Sequence, residues 1–342
     1  VSGETSRNTP KDLSANALTS PGDSVDVQPK STRGNARLVW LQVALTLIAF
    51  AYLLHRSNLH ALGTAFAKAP LWSVPSAVVA LLCVMFAGTL RWRLLLSAYG
   101  ARATLPLSYL FRLQLIGLFY NMLPGAVGGD VLRGIVSRRA FGAQGVSAGL
   151  AVVLVERVFG LIALMLLVVS VLALHPIHGL QLSPWVFAVG LAGSTATLAA
   201  IALGRRLAPR LPALLATRAA ALPVLVNVGA FALGLVMSIV NQTLVGVMGH
   251  LTVWPLAPHV GLLDSLVLAP LAFAAIFFPL TVAGAGTRDA AMVALYGLLA
   301  VPEESALSAS LEVLMAYVLV AALGGVLSLV TPLRGGDEPA TT

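Results

Sequence analysis

Charge is what this sequence has least of. Asp, Glu, Lys and Arg make up 10% of its 342 residues, against 58% hydrophobic residues and a mean hydropathy of +0.92. Soluble domains carry about 25% charged residues because their surfaces must face water. The shortage excludes a water-facing surface over most of the chain, and repeated apolar runs of about 20 residues put that surface in lipid. Cysteine is almost absent as well. Cys83 stands alone inside an apolar run, so no intramolecular disulfide can form. No G-x-S-x-G, Walker A, H-E-x-x-H or DxD-type cluster occurs. The expectation is a protein that is not an enzyme, hydrolyses no nucleotide and takes no cofactor or metal. No cleavable signal is expected in residues 1–36, which are polar and have no apolar core. They read as a disordered cytoplasmic tail.

What is present is organised. Nine apolar segments stand out, at roughly 38–54, 71–90, 105–123, 146–174, 184–204, 221–248, 260–280, 289–301 and 305–331. Lipid leaves no water for an open backbone, so all should be helical. The formal charge of +8 comes from 21 Lys and Arg against 13 Asp and Glu. Its basic residues cluster between apolar runs, the pattern of cytoplasmic loops rather than of a nucleic-acid surface. Arg7, Lys11, Lys30, Arg33 and Arg37 place the N-terminus in the cytoplasm, and Arg91, Arg93 and Arg102 bring the second helix back to that side.

A full span at 105–123 would push Arg133, Arg138, Arg139, Arg205, Arg206, Arg210 and Arg218 outside, against the charge rule. A re-entrant hairpin over 105–139, turning at NMLPGAVGGD, returns all of them to the cytoplasm. It also leaves the loops at 175–183 and 249–259 free of Lys and Arg. The same turn recurs. With a shift of 155 residues Pro124 meets Pro279, Val127 meets Val282, Gly129 meets Gly284 and Arg133 meets Arg288, while Gly128 meets Ala283. Glu156 meets Glu312 at a shift one residue longer. Segment starts at 38, 71, 105 and 146 are answered by 184, 221, 260 and 305.

Two spans, a hairpin and a third span in each half give an inverted repeat, the sequence pointer to a transport site near the midplane. Segments 260–280 and 289–301 can also be read as two true spans, and both readings leave the C-terminus inside. The fold expected is therefore an all-α membrane bundle of about six spans and two re-entrant hairpins. It comprises one membrane domain at 37–332, with halves at about 38–174 and 184–331, and a cytoplasmic tail at 333–342.

Charges inside a bilayer cost about 2.5–3.5 kcal/mol each at mid-helix, so each one marks a candidate function. The candidates are Arg112, Asp130, Arg133, Glu156, Arg157, Asp264, Arg288, Asp289 and Glu312. Arg133 and Arg288 follow turns built on Gly128, Gly129, Gly284 and Gly286. Free amides at a helix start beside a guanidinium suit a lipid phosphate. Equally, Arg133 can pair with Glu156 or Asp130 simply to hold the hairpin. Glu156 and Arg157 are neighbours about 100° apart on a helix, so each needs a partner elsewhere. Glu156 and Glu312 can neutralise the two arginines, or act in proton coupling or in binding a headgroup amine. The six histidines, His55, His60, His175, His178, His250 and His259, fall on the extracytoplasmic side as interfacial residues rather than metal ligands. Trp40, Trp72, Trp92, Trp185 and Trp254 lie at segment ends, as an aromatic belt does.

The motifs LPGAVGGDVLRG, LVERVFGL and FPLTVAGAGTRDAA, in that order, resemble the flippase-like membrane region of lysylphosphatidylglycerol synthases. The matching positions are Pro124, Gly129, Asp130, Arg133, Glu156, Arg157, Pro279, Gly284, Gly286, Arg288 and Asp289. The resemblance implies translocation of an anionic or aminoacylated phospholipid, or of a lipid-linked group, across the inner membrane. Bifunctional relatives carry a soluble transferase after this region, whereas this sequence stops at Thr342. The chain is thus expected not to make lysylphosphatidylglycerol itself, and a separately encoded lipid-modifying enzyme is the expected partner. Asp289 stands where relatives often have Glu. A membrane scaffold for a lipid-modifying enzyme or a glycosyltransferase, without transport, is the competing reading.

Overall fold

The computed structural model describes residues 59–101, 105–123, 128–141, 145–180, 183–210, 224–275 and 286–330, with isolated positions at 44, 47, 212, 213, 216 and 217. The tails at 1–36 and 333–342, nearly all of segment 38–54, and the Gly-rich stretch from Phe277 to Ala285 lie outside the described residues. Among the described residues every regular element is helical. Four of the described helices are long and apolar enough to cross a membrane: α2 (Ser73–Ala98), α5 (Gly145–Leu174), α7 (Val228–Val253) and α10 (Glu303–Val330). A fifth, α6 (Pro184–Leu207), continues into a 3-10 turn at Ala208–Arg210. It bends by 66° between Ala188–Ala200 and Leu203–Arg210.

The remaining helices are short. α1 (Leu59–Lys68) lies against α10. α3 (Leu107–Met122) packs on α4 (Gly128–Phe141), and α8 (Leu262–Ala274) packs on α9 (Thr287–Gly297). With 11 to 16 residues each, none of these four reaches the ~20 residues a span requires. They form two packed pairs at the two places where hairpins are expected. Helix α7 packs along α2 and α8, while α10 touches α2, α3, α7 and α9.

Glycine fixes how closely these pieces approach. In membranes, helices associate largely by packing, so small residues at crossings set the contact. A Cβ at Gly129 would collide with the Gly117 carbonyl across α3 and α4, and one at Gly149 with the Gly134 carbonyl across α4 and α5. A Cβ at Gly324 would strike the Leu115 carbonyl across α10 and α3. At Gly246 it would come within 2.7 Å of the Leu266 Cα, where α7 crosses α8. Both short pairs are thereby wedged against long helices by backbone contact.

Two element boundaries differ from the sequence expectation. The helix expected over 221–248 starts only at Val228, because the Asn227 side chain accepts the Ala230 amide at 3.0 Å and caps it. The amides of Val226 and Asn227 meanwhile bind the Ala98 carbonyl at the end of α2. The helix expected to stop near 90 runs on to Ala98, so Arg91 and Trp92 lie inside the bundle instead of at its rim.

Candidate functional site

The centre of the site is a carboxylate shared between arginines from two other helices. Glu156 projects from α5. Its Oε1 accepts from Arg91 Nη2 of α2 at 2.6 Å, and its Oε2 accepts from Arg133 Nη2 of α4. All three side chains are buried or nearly so, with 5%, 12% and 8% of their side-chain surface exposed. Arg133 also lies 3.7 Å from Asp130 one turn earlier, and its guanidinium stacks over the Trp92 ring at 4.4 Å. Arg157, on the neighbouring face of α5, ion-pairs with Asp130 and keeps 45% of its side chain exposed. Three arginines and two carboxylates leave this layer with one net positive charge.

The layer opens into a cavity of about 240 Å³ lined by α2 to α5, α7, α8 and α10. All five charged groups line it, joined by the carboxamides of Gln114, Asn121, Asn241 and Gln242. That volume is below the range for drug-sized ligands. Phe273 of α8 and Tyr317 of α10 form part of its wall. Arg288 stands behind it, its guanidinium 5.5 Å and 6.0 Å from those two rings.

Of the expected phosphate cradles, the described residues include two glycine amides, and both are already engaged. The Gly129 amide donates to Asn121 Oδ1 at 3.0 Å. The Gly286 amide donates to Asp289 Oδ2 at 2.8 Å, at an N-cap whose φ of +88° suits glycine. Each amide is thus satisfied by a side chain of its own helix pair. Gly128 opens α4, and Gly284 lies outside the described residues.

The two motif arginines also differ from each other. Arg288, 1% exposed, donates to Asp289 Oδ1 at 2.7 Å and to the Ser310 carbonyl at 3.3 Å, while Ser310 Oγ donates to the same Asp289 oxygen at 2.5 Å. It is sealed in a structural knot and does not reach the cavity. Arg133 sits in the second turn of its helix and Arg288 in the first. Counted from the helix starts, Asp130 corresponds to Asp289, one turn away from the register in which the motifs align.

Glu312 does not neutralise Arg288 either. Its Oε2 accepts from Ser73 Oγ at the opposite end of α2, and its Oε1 is buried without a hydrogen-bond partner. Ser73 and Arg91 are 18 residues apart, roughly 27 Å along a helix, so Glu156 and Glu312 lie in separate layers. Asp264 caps α8 through the Gly261 amide and meets His175 Nε2 at 2.9 Å. Arg112 faces its own helix neighbour, the Tyr109 ring, at 5.4 Å. Trp72, Trp185 and Trp254 are exposed as a belt requires, but Trp92 is completely buried beneath Arg133.

Sequence reasoning therefore missed Arg91 and Trp92. The signal was present. Apolar Leu94–Ala98 continues the helix beyond the arginines, and Glu156 in mid-span required a cation from another helix.

An all-helical bundle with several apolar spans, short paired helices and a buried arginine–carboxylate layer defines a multi-pass membrane protein. The chain belongs to the family described as lysylphosphatidylglycerol synthase TM region, whose model matches residues 39–325. Membership places it in lipid biology. Comparison with curated proteins gives no match.

Proposed function

We propose that this protein moves a lipid with an anionic headgroup between the leaflets of the cell's inner membrane. The observation that carries the reading is the net-positive arginine layer opening onto a cavity within an apolar bundle. Charge at such depth is costly and marks substrate pathways. Arg91, Arg133 and Arg157 receive the phosphate, and the lipid tails stay in the bilayer. Glu156 and Asp130 hold the guanidiniums at fixed positions and limit the positive charge, so that the phosphate can also leave.

In this reading both termini are cytoplasmic, and the pairs α3–α4 and α8–α9 are re-entrant hairpins of an inverted repeat. Their short helices support this, as do the basic loops. The Phe273–Tyr317 wall then closes the cavity on the extracytoplasmic side, and alternating exposure requires it to part. The chain itself performs no bond chemistry, and a separately encoded enzyme modifies the lipid it carries.

A photoactivatable phosphatidylglycerol added to the purified protein tests the site. Cross-links should map to α7 and α8 residues facing the cavity and should fall several-fold with Arg157→Gln. Cross-links confined to the outer surface of the bundle, and unchanged by Arg157→Gln, would overturn the assignment and favour a scaffold.

A further inference from the structure

We propose that Glu312 is a proton-binding site, and that uptake and release of its proton couple α10 to the movement of lipid. The coupling rests on the transport reading above, whereas the proton site stands on its own geometry.

Two oxygens without partners carry the first step. Glu312 is 0% exposed, its Oε2 accepts from Ser73 Oγ of α2, and its Oε1 has no hydrogen-bond partner. Ser308, one turn earlier on the same face of α10, is equally buried, and its Oγ has no partner either. Burying one polar atom unpaired is costly, and two on adjacent turns call for a shared electropositive partner. A single proton supplies it. Placed on Oε1 it makes the carboxyl a donor that Ser308 Oγ is positioned to accept, while Oε2 keeps the Ser73 hydroxyl. Sodium fits less well, because the side-chain ligands among the described residues are this carboxyl and the hydroxyls of Ser73 and Ser308.

Among the described residues no cation pairs with Glu312. Helix α10 packs on α1, α2, α3, α7 and α9, and the charges of those helices are held elsewhere. Arg288 and Asp289 of α9 bind each other, His250 of α7 faces Ser265, Arg91 of α2 serves Glu156, and Arg112 of α3 lies over Tyr109. His60 and Lys68 of α1 and Arg93 of α2 are exposed. Cys83, Tyr109, Tyr120, Tyr296 and Tyr317 bring no positive charge, and Glu303 and Glu304 lie more than two turns away on α10 itself. A neutral carboxyl needs no counter-ion, so a proton suffices where a buried carboxylate would not. Release is provided for as well. Ser73 is the first residue of α2, and the positive end of that helix, with the Ser73 hydroxyl, supports the carboxylate once its proton has left. Beside Ser73, Leu71 and Trp72 are 98% and 45% exposed, which brings the site to the surface on the extracytoplasmic side of the proposed topology. Tyr317, further along α10, lines the cavity, so one helix carries both the proton site and part of the cavity wall.

Infrared difference spectroscopy of the full chain in lipid vesicles tests the site, since a neutral carboxyl and a carboxylate absorb in separate regions. Wild-type protein should show a neutral-carboxyl band that fades as pH rises and that Glu312→Gln removes. Ser73→Ala, which deletes the hydroxyl bound to Oε2, should shift that band, so the assignment can be refuted even where Glu312→Gln does not fold. A band unmoved by these variants, or no neutral carboxyl at any pH, would overturn the proton site. A carboxylate signal that responds to sodium at fixed pH would overturn it in favour of sodium. Coupling is read from the transfer of fluorescent phosphatidylglycerol between leaflets of reconstituted vesicles. An imposed pH gradient should change wild-type transfer several-fold, a protonophore should abolish the change, and Glu312→Gln, held neutral, should not respond to the gradient. Equal responses of wild type and Glu312→Gln would overturn the coupling. Fast wild-type transfer that ignores the gradient would also overturn it, and would leave the lipid-transport reading standing. Absence of transfer of any lipid would overturn transport and coupling together, while the infrared titration decides the proton site separately.

Discussion

Replacing Glu156 by Gln keeps the shape of the side chain and removes its charge. The consequences are unequal because one acid serves two arginines. Without it, Arg91 and Arg133 face each other across a buried site with 12% and 8% of their side chains exposed. Breaking a buried pair by removing one partner costs about 3–5 kcal/mol, since an uncompensated charge remains. Glu156→Gln should fall in that range. Arg133→Gln should cost less, about 1–3 kcal/mol, because Glu156 retains Arg91 and the loss is one charge-assisted bond plus stacking on Trp92. The double variant Glu156→Gln/Arg133→Gln should be more stable than the sum of the singles predicts, by about 0.5–3 kcal/mol. Reversible unfolding in mixed detergent micelles, followed by circular dichroism, measures all three. A Glu156→Gln cost below about 1 kcal/mol, or a smaller cost than that of Arg133→Gln, would refute the argument. The acid would then not be the anchor of the layer.

Three further outcomes follow from the same geometry. Gly149→Ala places a methyl against the Gly134 carbonyl and should destabilise the α4–α5 contact by about 1–3 kcal/mol in the same unfolding assay. Arg288→Gln should lower stability yet leave cross-linking by the photoactivatable phosphatidylglycerol within about twofold of wild type, because Arg288 does not line the cavity. With Cys83 replaced, a single cysteine at Pro258 should react with an impermeant thiol reagent in intact cells, and one at Thr217 only after lysis. The opposite pattern would invert the proposed topology.

Much of this arrangement could be read from the sequence. Hydropathy exposed the long apolar helices, and the Pro and Gly after residue 123 marked the break between the short helices α3 and α4. Asp130, Arg133, Glu156 and Arg157 were singled out because charge in a bilayer is rare, and they do converge on one cavity. What was not legible was the purpose of each glycine and the partner of each charge. Gly128-Gly129 before a helix suits a phosphate nest and a close helix crossing equally well, and only the neighbouring Gly117 carbonyl decides between them. Arg288 looked like the twin of Arg133. Its immediate neighbour Asp289 neutralises it, so the repeat in sequence does not carry over into a repeat of roles. Arg91 was hidden by its own position, since basic residues near the end of an apolar run ordinarily mark a loop. The carboxamides gave no signal at all, for Gln and Asn inside a span acquire meaning only once their bonding partners are known.

The central claim is movement of an anionic lipid through the arginine-lined cavity, and transbilayer transfer in vesicles tests it most directly. The purified protein is reconstituted into vesicles containing fluorescent phosphatidylglycerol, and the fraction of label reached by an impermeant quencher is followed with time. The account predicts that wild-type protein brings inner-leaflet label to the quencher much faster than protein-free vesicles do. Arg157→Gln, which leaves the buried Arg91–Glu156–Arg133 pairing intact, should slow transfer several-fold with folding preserved. Wild-type transfer no faster than in empty vesicles, for phosphatidylglycerol and for polyprenyl-phosphate sugars alike, would contradict it.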